Sequence, residues 1–213
     1  MKLRFLPLLF FALLPACGRP TGVLAIEDGG VFTRRSACPI VGLPAGTGDL
    51  TLFNPPASRD SAAIDVSATI TNLRSSCNET GDQILSTVTF DVVGVRRDPG
   101  PARQVVLPYF DTIVRAGNQV VARRVGYVAH NFAQGSIRAS TRAQAYGRVH
   151  RGAAALPENV RRILNARRKP GDPQAAVDPL TDPGTRAAVA NATFEHLVGF
   201  QLTQEQLRYN VTR

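Results

Sequence analysis

The chain is predicted to be mainly β, a single antiparallel β-sandwich with a helical, Pro-rich insertion before its last strand. Three observations carry this. Ile64, Val66, Ala68 and Ile70 alternate with Asp65, Ser67, Thr69 and Thr71, and Val88, Phe90 and Val92 alternate with Thr87, Thr89 and Asp91. This period of two marks strands with one buried face. Clusters of Gly, Pro, Asn and Asp separate these runs, and no helix-period segment is interleaved between them, which favours a sandwich over a βαβ fold.

The strands begin with LTLF at Leu50–Phe53 and continue with Ala63–Leu73 and Ile84–Val95, the last two expected to pair antiparallel. RSSCNETGD between them has hairpin-loop chemistry and carries Cys77. RRDPGPA at Arg96–Ala102 is a turn. QVVLPYFDTIV and QVVARRVGYVAHNF follow, separated by a tight RAGN hairpin at Arg115–Asn118. Pro108 cannot donate to a ladder, so its strand is expected at a sheet edge or bent there. In the last strand, Phe194–Leu202, one face carries Phe194, His196, Val198 and Phe200.

The insertion spans residues 152–192. Pro157 suits the first turn of a helix through Val160, Ile163 and Leu164, with Pro170-Gly171 ending it. Arg161, Arg162, Arg167, Arg168 and Lys169 make this segment basic. GDPQAAVDPLTDPG is loop-like, and a second helix is expected at Thr185–Val189. After the last strand, Thr203 and Gln206 have capping-box spacing, so a short helix should start there and return Leu207 and Tyr209 to the sandwich.

At the N-terminus, Lys2 and Arg4 precede an apolar run through Leu14, the pattern of a secretory signal over residues 1–16. The run is shorter than the ~20 residues that span a bilayer. Leu14-Pro15-Ala16-Cys17 resembles the lipobox of bacterial lipoproteins. That resemblance implies a diacylglyceryl thioether on Cys17 and anchoring by two or three acyl chains, enough for stable attachment. Gly18 in place of Asp implies the outer membrane, with the domain facing the periplasm. Residues 17–31 then read as a lipidated tether, and 32–151 with 193–213 as the sandwich. The order of LPYF, an Arg-Arg strand and GFQLTQEQL is similar to a group of proteobacterial envelope lipoproteins; this adds location and no activity.

Of the three cysteines, setting Cys17 aside leaves Cys38 and Cys77, expected to form a disulfide in an oxidising compartment. No CxxC occurs, and His130, His150 and His196 lack ligand spacing, so no metal or other cofactor is expected. The 25 Lys and Arg fall to 23 without Lys2 and Arg4, against 16 Asp and Glu. Such a charge favours anionic surfaces, but an exported chain points to lipid headgroups, glycolipid or acidic proteins and not to nucleic acid.

No GxSxG, HExxH or phosphate-loop motif is present. Asp65, Asp91, Asp111 and Glu195 are the best placed strand carboxylates, without a spacing that compels acid–base chemistry. The expectation is a non-enzymatic, membrane-anchored protein that contacts an envelope protein. The alternative is binding of an anionic glycolipid or cell-wall polymer through the basic insertion.

Overall fold

The computed structural model describes residues 24–27, 30–33, 35–166, 171, 173 and 176–212. Cys17 and the lipobox, and Arg167, Arg168 and Lys169 of the basic segment, lie outside them. The chain divides into two units, Met1–Ser36 and Ala37–Arg213. In the first, β1 (Leu24–Glu27) and β2 (Gly30–Thr33) form an antiparallel pair. Most of this hairpin falls where the sequence suggests an unpatterned tether.

The second unit is a sandwich of two four-stranded sheets. One has the order β3 (Ile40–Gly42), β10 (Phe194–Phe200), β7 (Arg103–Arg115), β8 (Gln119–Phe132). The other runs β4 (Asp49–Phe53), β5 (Ile64–Asn78), β6 (Gln83–Arg96), β9 (Arg138–His150). All neighbours are antiparallel except β3 and β10. The alternating residues of β5 and β6 turn Val66, Ala68, Ile70, Val88, Phe90 and Val92 inward. Val105, Leu107, Val128, Phe132, Val198 and Phe200 meet them from the opposing sheet. A second cluster, Ile84, Ile113, Val149, Ala154 and Phe194, fills the other end.

Several elements differ from the sequence reading. Strand β5 continues through Cys77 to Asn78, with Cys77 opposite Ser86, so Cys77 is a ladder residue and not a loop residue. The strand absorbs Asn72, at φ 55°, through a register shift between Thr71 and Arg74. Strand β7 is central, despite Pro108. Its ladder with β10 ends at Tyr109–Phe200, and the Pro108 carbonyl accepts from Gln201 just beyond. N and C=O of one strand residue point to the same side, so the missing Pro108 N–H faces the end of the β10 ladder and costs little. The RAGN hairpin is as expected, with Ala116 and Gly117 both left-handed at φ 55° and 77°.

Strand β9 was not legible as a strand. Its inward face is small, Ala139, Thr141, Ala143, Ala145 and Gly147, opposite an outward row of Arg138, Arg142, Gln144, Tyr146 and Arg148. Strand β3 was missed as well, being three residues long. The insertion forms α1 (Arg151–Ala154), α2 (Glu158–Leu164) and α3 (Pro183–Asn191). It is not wholly an appendage. Ala154, Val160, Thr185 and Ala192 are buried, whereas Ile163, expected to pack, is exposed. The C-terminal α4 (Gln204–Thr212) starts with the capping box: Gln206 N–H donates to Thr203 Oγ1 at 3.2 Å, and Thr203 N–H donates to Gln206 Oε1 at 2.9 Å.

Cys38 and Cys77 form the disulfide, pinning the segment before β3 to the far end of β5 across 39 residues of sequence. Closing a loop of that length in the unfolded chain should stabilise by roughly 3–4 kcal/mol on the chain-entropy model. The double variant Cys38→Ser, Cys77→Ser is expected to lose that amount in urea unfolding. An unchanged midpoint would mean the bridge leaves the unfolded ensemble unrestricted.

Candidate functional site

The strand carboxylate Asp111 and the buried face of β10 converge on one polar line through the core. Asp111 comes from β7, His196 from β10 and Ser86 from β6. His196 Nε2 lies 2.8 Å from Asp111 Oδ1, and His196 Nδ1 lies 2.9 Å from Ser86 Oγ. Asp111 Oδ2 accepts from Arg124 at 2.7 Å and from the Tyr146 backbone N–H at 3.3 Å. Burial by itself raises the Asp111 carboxyl, but the hydrogen bonds from His196 and Arg124 and the adjoining charge outweigh it and hold the group below its ordinary 3.8. The ionised carboxylate only accepts, so the proton between them sits on Nε2, and Ser86 Oγ completes the line at Nδ1.

This is the connectivity of an acid–imidazole–hydroxyl nucleophile. Its placement opposes that use. Ser86 is 2% exposed and His196 0%, and both lie between the sheets. The space beside the imidazole is occupied: a Cβ on Gly147 would stand 2.4 Å from Ile113 Cδ1 and 3.1 Å from the His196 ring. An acyl group reaches Ser86 only if the sheets separate. In the folded chain the line acts as a polar bridge, since β7 and β10 belong to one sheet and Ser86 and Tyr146 to the other.

His130 repeats the arrangement at the other end. It is fully buried on β8, shares a 3.0 Å hydrogen bond with Thr141 of β9, and rests on Gly94 of β6, where a Cβ would come within 2.2 Å of Nε2. Nε2 has no hydrogen-bond partner. Burial therefore pushes the His130 pKa down from 6.5. Beyond it, the guanidinium of Arg96, also buried, donates to the carbonyls of Gly100, Pro101, Ala133 and Ser136, closing that end of the sandwich.

The solvent-facing candidate is β8, the outermost strand of its sheet. Its N-terminal half leaves Val120, Val121 and Val125 exposed, with Tyr127 at 70% exposure. A register shift opposite Ile113 and Val114, together with Arg123 and Arg124, discourages unspecific pairing along this edge. Arg123 donates to Gln201, and Arg124 to Asp111. The other sequence-selected cations are less gathered. Arg161 and Arg162 sit on exposed positions of the short α2, and Arg161 is ion-paired with Glu158. Asp65 pairs with Arg103 and Asp91 with Arg142. Asp111 and His196 stand out separately in the sequence, but their direct contact and its extension to Ser86 do not, because three strands far apart in sequence supply them.

Comparison with known protein families, characterised proteins and solved structures gives no match. Among the described residues, no helix is long and apolar enough to cross a membrane.

The His130 environment carries a pH dependence. Its folded pKa lies below the unfolded value, so below about pH 6.5 the unfolded chain takes up the proton first. Stability should fall on acidification through that range, by at most about 1.4 kcal/mol per pH unit for one group. Urea midpoints between pH 7.5 and 5, the two ends of the relevant window, should fall more steeply for the wild type than for His130→Asn. Parallel profiles would remove His130 as the cause.

Proposed function

We propose that this chain is a non-enzymatic envelope module, anchored to the outer membrane through lipidated Cys17, which docks an extended segment of another envelope protein along β8. The observation that carries the reading is the open β8 edge. An incoming strand would satisfy its outward N–H and C=O groups, while Val125 and Tyr127 supply apolar contact. The Cys38–Cys77 bridge fits an oxidising compartment. Placing the acid–imidazole line inside the core supports a structural use for it and leaves the work to the surface.

The second reading, binding of anionic glycolipid or cell-wall polymer, rests on the exposure of Arg161 and Arg162 with Arg167, Arg168 and Lys169 following in sequence. Polyanion binding should weaken steeply with salt, whereas an apolar strand interface should not.

The test places a photocrosslinking phenylalanine analogue at Tyr127, and at Tyr146 of the other sheet as control, in envelope-expressed protein. Tyr127 is expected to give a discrete protein adduct that Val125→Lys abolishes without changing the melting temperature. Cys17→Ser should remove palmitate-analogue labelling and reduce the adduct. Equal adducts at both tyrosines would reject the β8 assignment, and persistent labelling of Cys17→Ser would reject the anchor.

A further inference from the structure

The outward residues of β5, β6 and β9 make a face that neither the core bridge nor β8 uses. Ala143, Ala145 and Gly147 of β9 turn inward, so Arg138, Ser140, Arg142, Gln144, Tyr146 and Arg148 are exposed on the other side. The register sets Arg142 beside Asp91 of β6, and Thr89 of β6 between Gln144 and Arg74 of β5. Over Ser67–Asn78, Leu85–Val95 and Arg138–Arg148, the outward positions carry Arg74, Arg138, Arg142 and Arg148 against a single carboxylate, Asp91.

The irregularity in β5 builds the centre of this face. Asn72, left-handed at φ 55°, lies in the register shift, and such bulges re-aim side chains. Asn72 Nδ2 donates to Asp91 Oδ2 at 2.7 Å, and Asn72 Oδ1 accepts from Arg74 Nε at 3.2 Å. Arg142 Nε donates to the other Asp91 oxygen at 2.9 Å. The hydrogen bonds from Arg142 and Asn72 hold the Asp91 carboxyl below its ordinary 3.8, so it remains an ionised acceptor at neutral pH. Both guanidinium groups are therefore fixed through Nε. Among the described residues, their terminal Nη groups have no hydrogen-bond partner. Those groups can grip an oxyanion through parallel N–H bonds. The two arginines line a groove of about 290 Å³ with Asn72, Ser76, Thr89 and Asp91, among others.

Charge and shape select the ligand. One carboxylate does not neutralise two guanidinium groups, and Arg138 and Arg148 extend the excess along β9. From Arg138 to Arg148 the row runs roughly 34 Å, at about 3.4 Å per residue. That length suits a chain of anionic groups, not one small anion. Strand β6 is laddered on both sides, so the face gives a peptide no open backbone to join. Tyr146 is the one ring on these outward positions, too few for the stacked bases of a single-stranded nucleic acid. The hydroxyls of Ser76, Thr87 and Thr89 and the amide of Gln144 can instead exchange hydrogen bonds with ring hydroxyls. Tyr146, 52% exposed and held by a 2.5 Å hydrogen bond to Gln144 Oε1, offers a flat apolar surface beside them.

We propose that this face binds a linear polysaccharide bearing carboxylates, one carboxylate gripped by Arg74 and Arg142 in the groove and others met by Arg138 and Arg148 along β9. The inference rests neither on docking along β8 nor on the arginines of α2. The ¹⁵N-labelled full chain is titrated with hexagalacturonate, with its fully methyl-esterified form, and with hexaglutamate. Saturable shifts at the amides of Arg74, Thr89, Arg142 and Gln144 are expected with hexagalacturonate, none with the ester, and weaker binding with hexaglutamate. Arg74→Gln and Arg142→Gln should each weaken hexagalacturonate binding about three- to tenfold, the effect of one partly exposed charged contact. The double variant Arg161→Gln, Arg162→Gln removes charge from α2 and should bind like the wild type. Absence of saturable shifts, equal binding of the ester or of hexaglutamate, or a loss in the α2 variant as large as in Arg74→Gln would overturn the proposal.

Discussion

The two sheets are held in register by a hydrogen-bonded line that crosses between them, from Arg124 and Asp111 through His196 to Ser86. Alternation alone forbids a one-residue slip but not a two-residue one, whereas a line of directional groups forbids both. A one-residue shift of β10 would turn His196 outward and leave Asp111 and Ser86 buried without their partner. The same demand explains the small residues opposite. His196 and His130 each need a glycine on the facing sheet, Gly147 and Gly94, because a Cβ there would collide with the ring or its neighbour. The poverty of large side chains on β9 is the counterpart of two imidazoles placed across from it.

With His130, His196 and Asp111 committed to the interior, the surface is left to the strand edges. Strand β8 is the outermost strand of its sheet and carries that surface role in the proposed reading.

Most of the sandwich was legible because its strands obey the period-two rule with strong apolar residues. Strands β5, β6, β7, β8 and β10 all announce themselves in that way, and the capping box of α4 does so through Thr203 and Gln206. Strand β9 escaped because Ala and Gly carry little hydrophobic contrast against Arg and Gln. The position of Pro108 in a central strand depended on where the β10 ladder stops, which is a tertiary fact. The disulfide followed from cysteine number and compartment, but the ladder position of Cys77 did not. The candidate sites were legible only as separate residues. Ser86 is one of many strand hydroxyls, marked out only when β10 brings His196 against it.

The structural use of the Asp111–His196–Ser86 line is open to direct chemical challenge. A fluorophosphonate probe reacts with a serine hydroxyl that a neighbouring imidazole activates and that solvent can reach. The folded protein, treated with such a probe and analysed by peptide mass spectrometry, should carry no adduct on Ser86. An adduct on Ser86 that disappears in His196→Gln would show an accessible, activated nucleophile and contradict the account of this line as a closed bridge between the sheets.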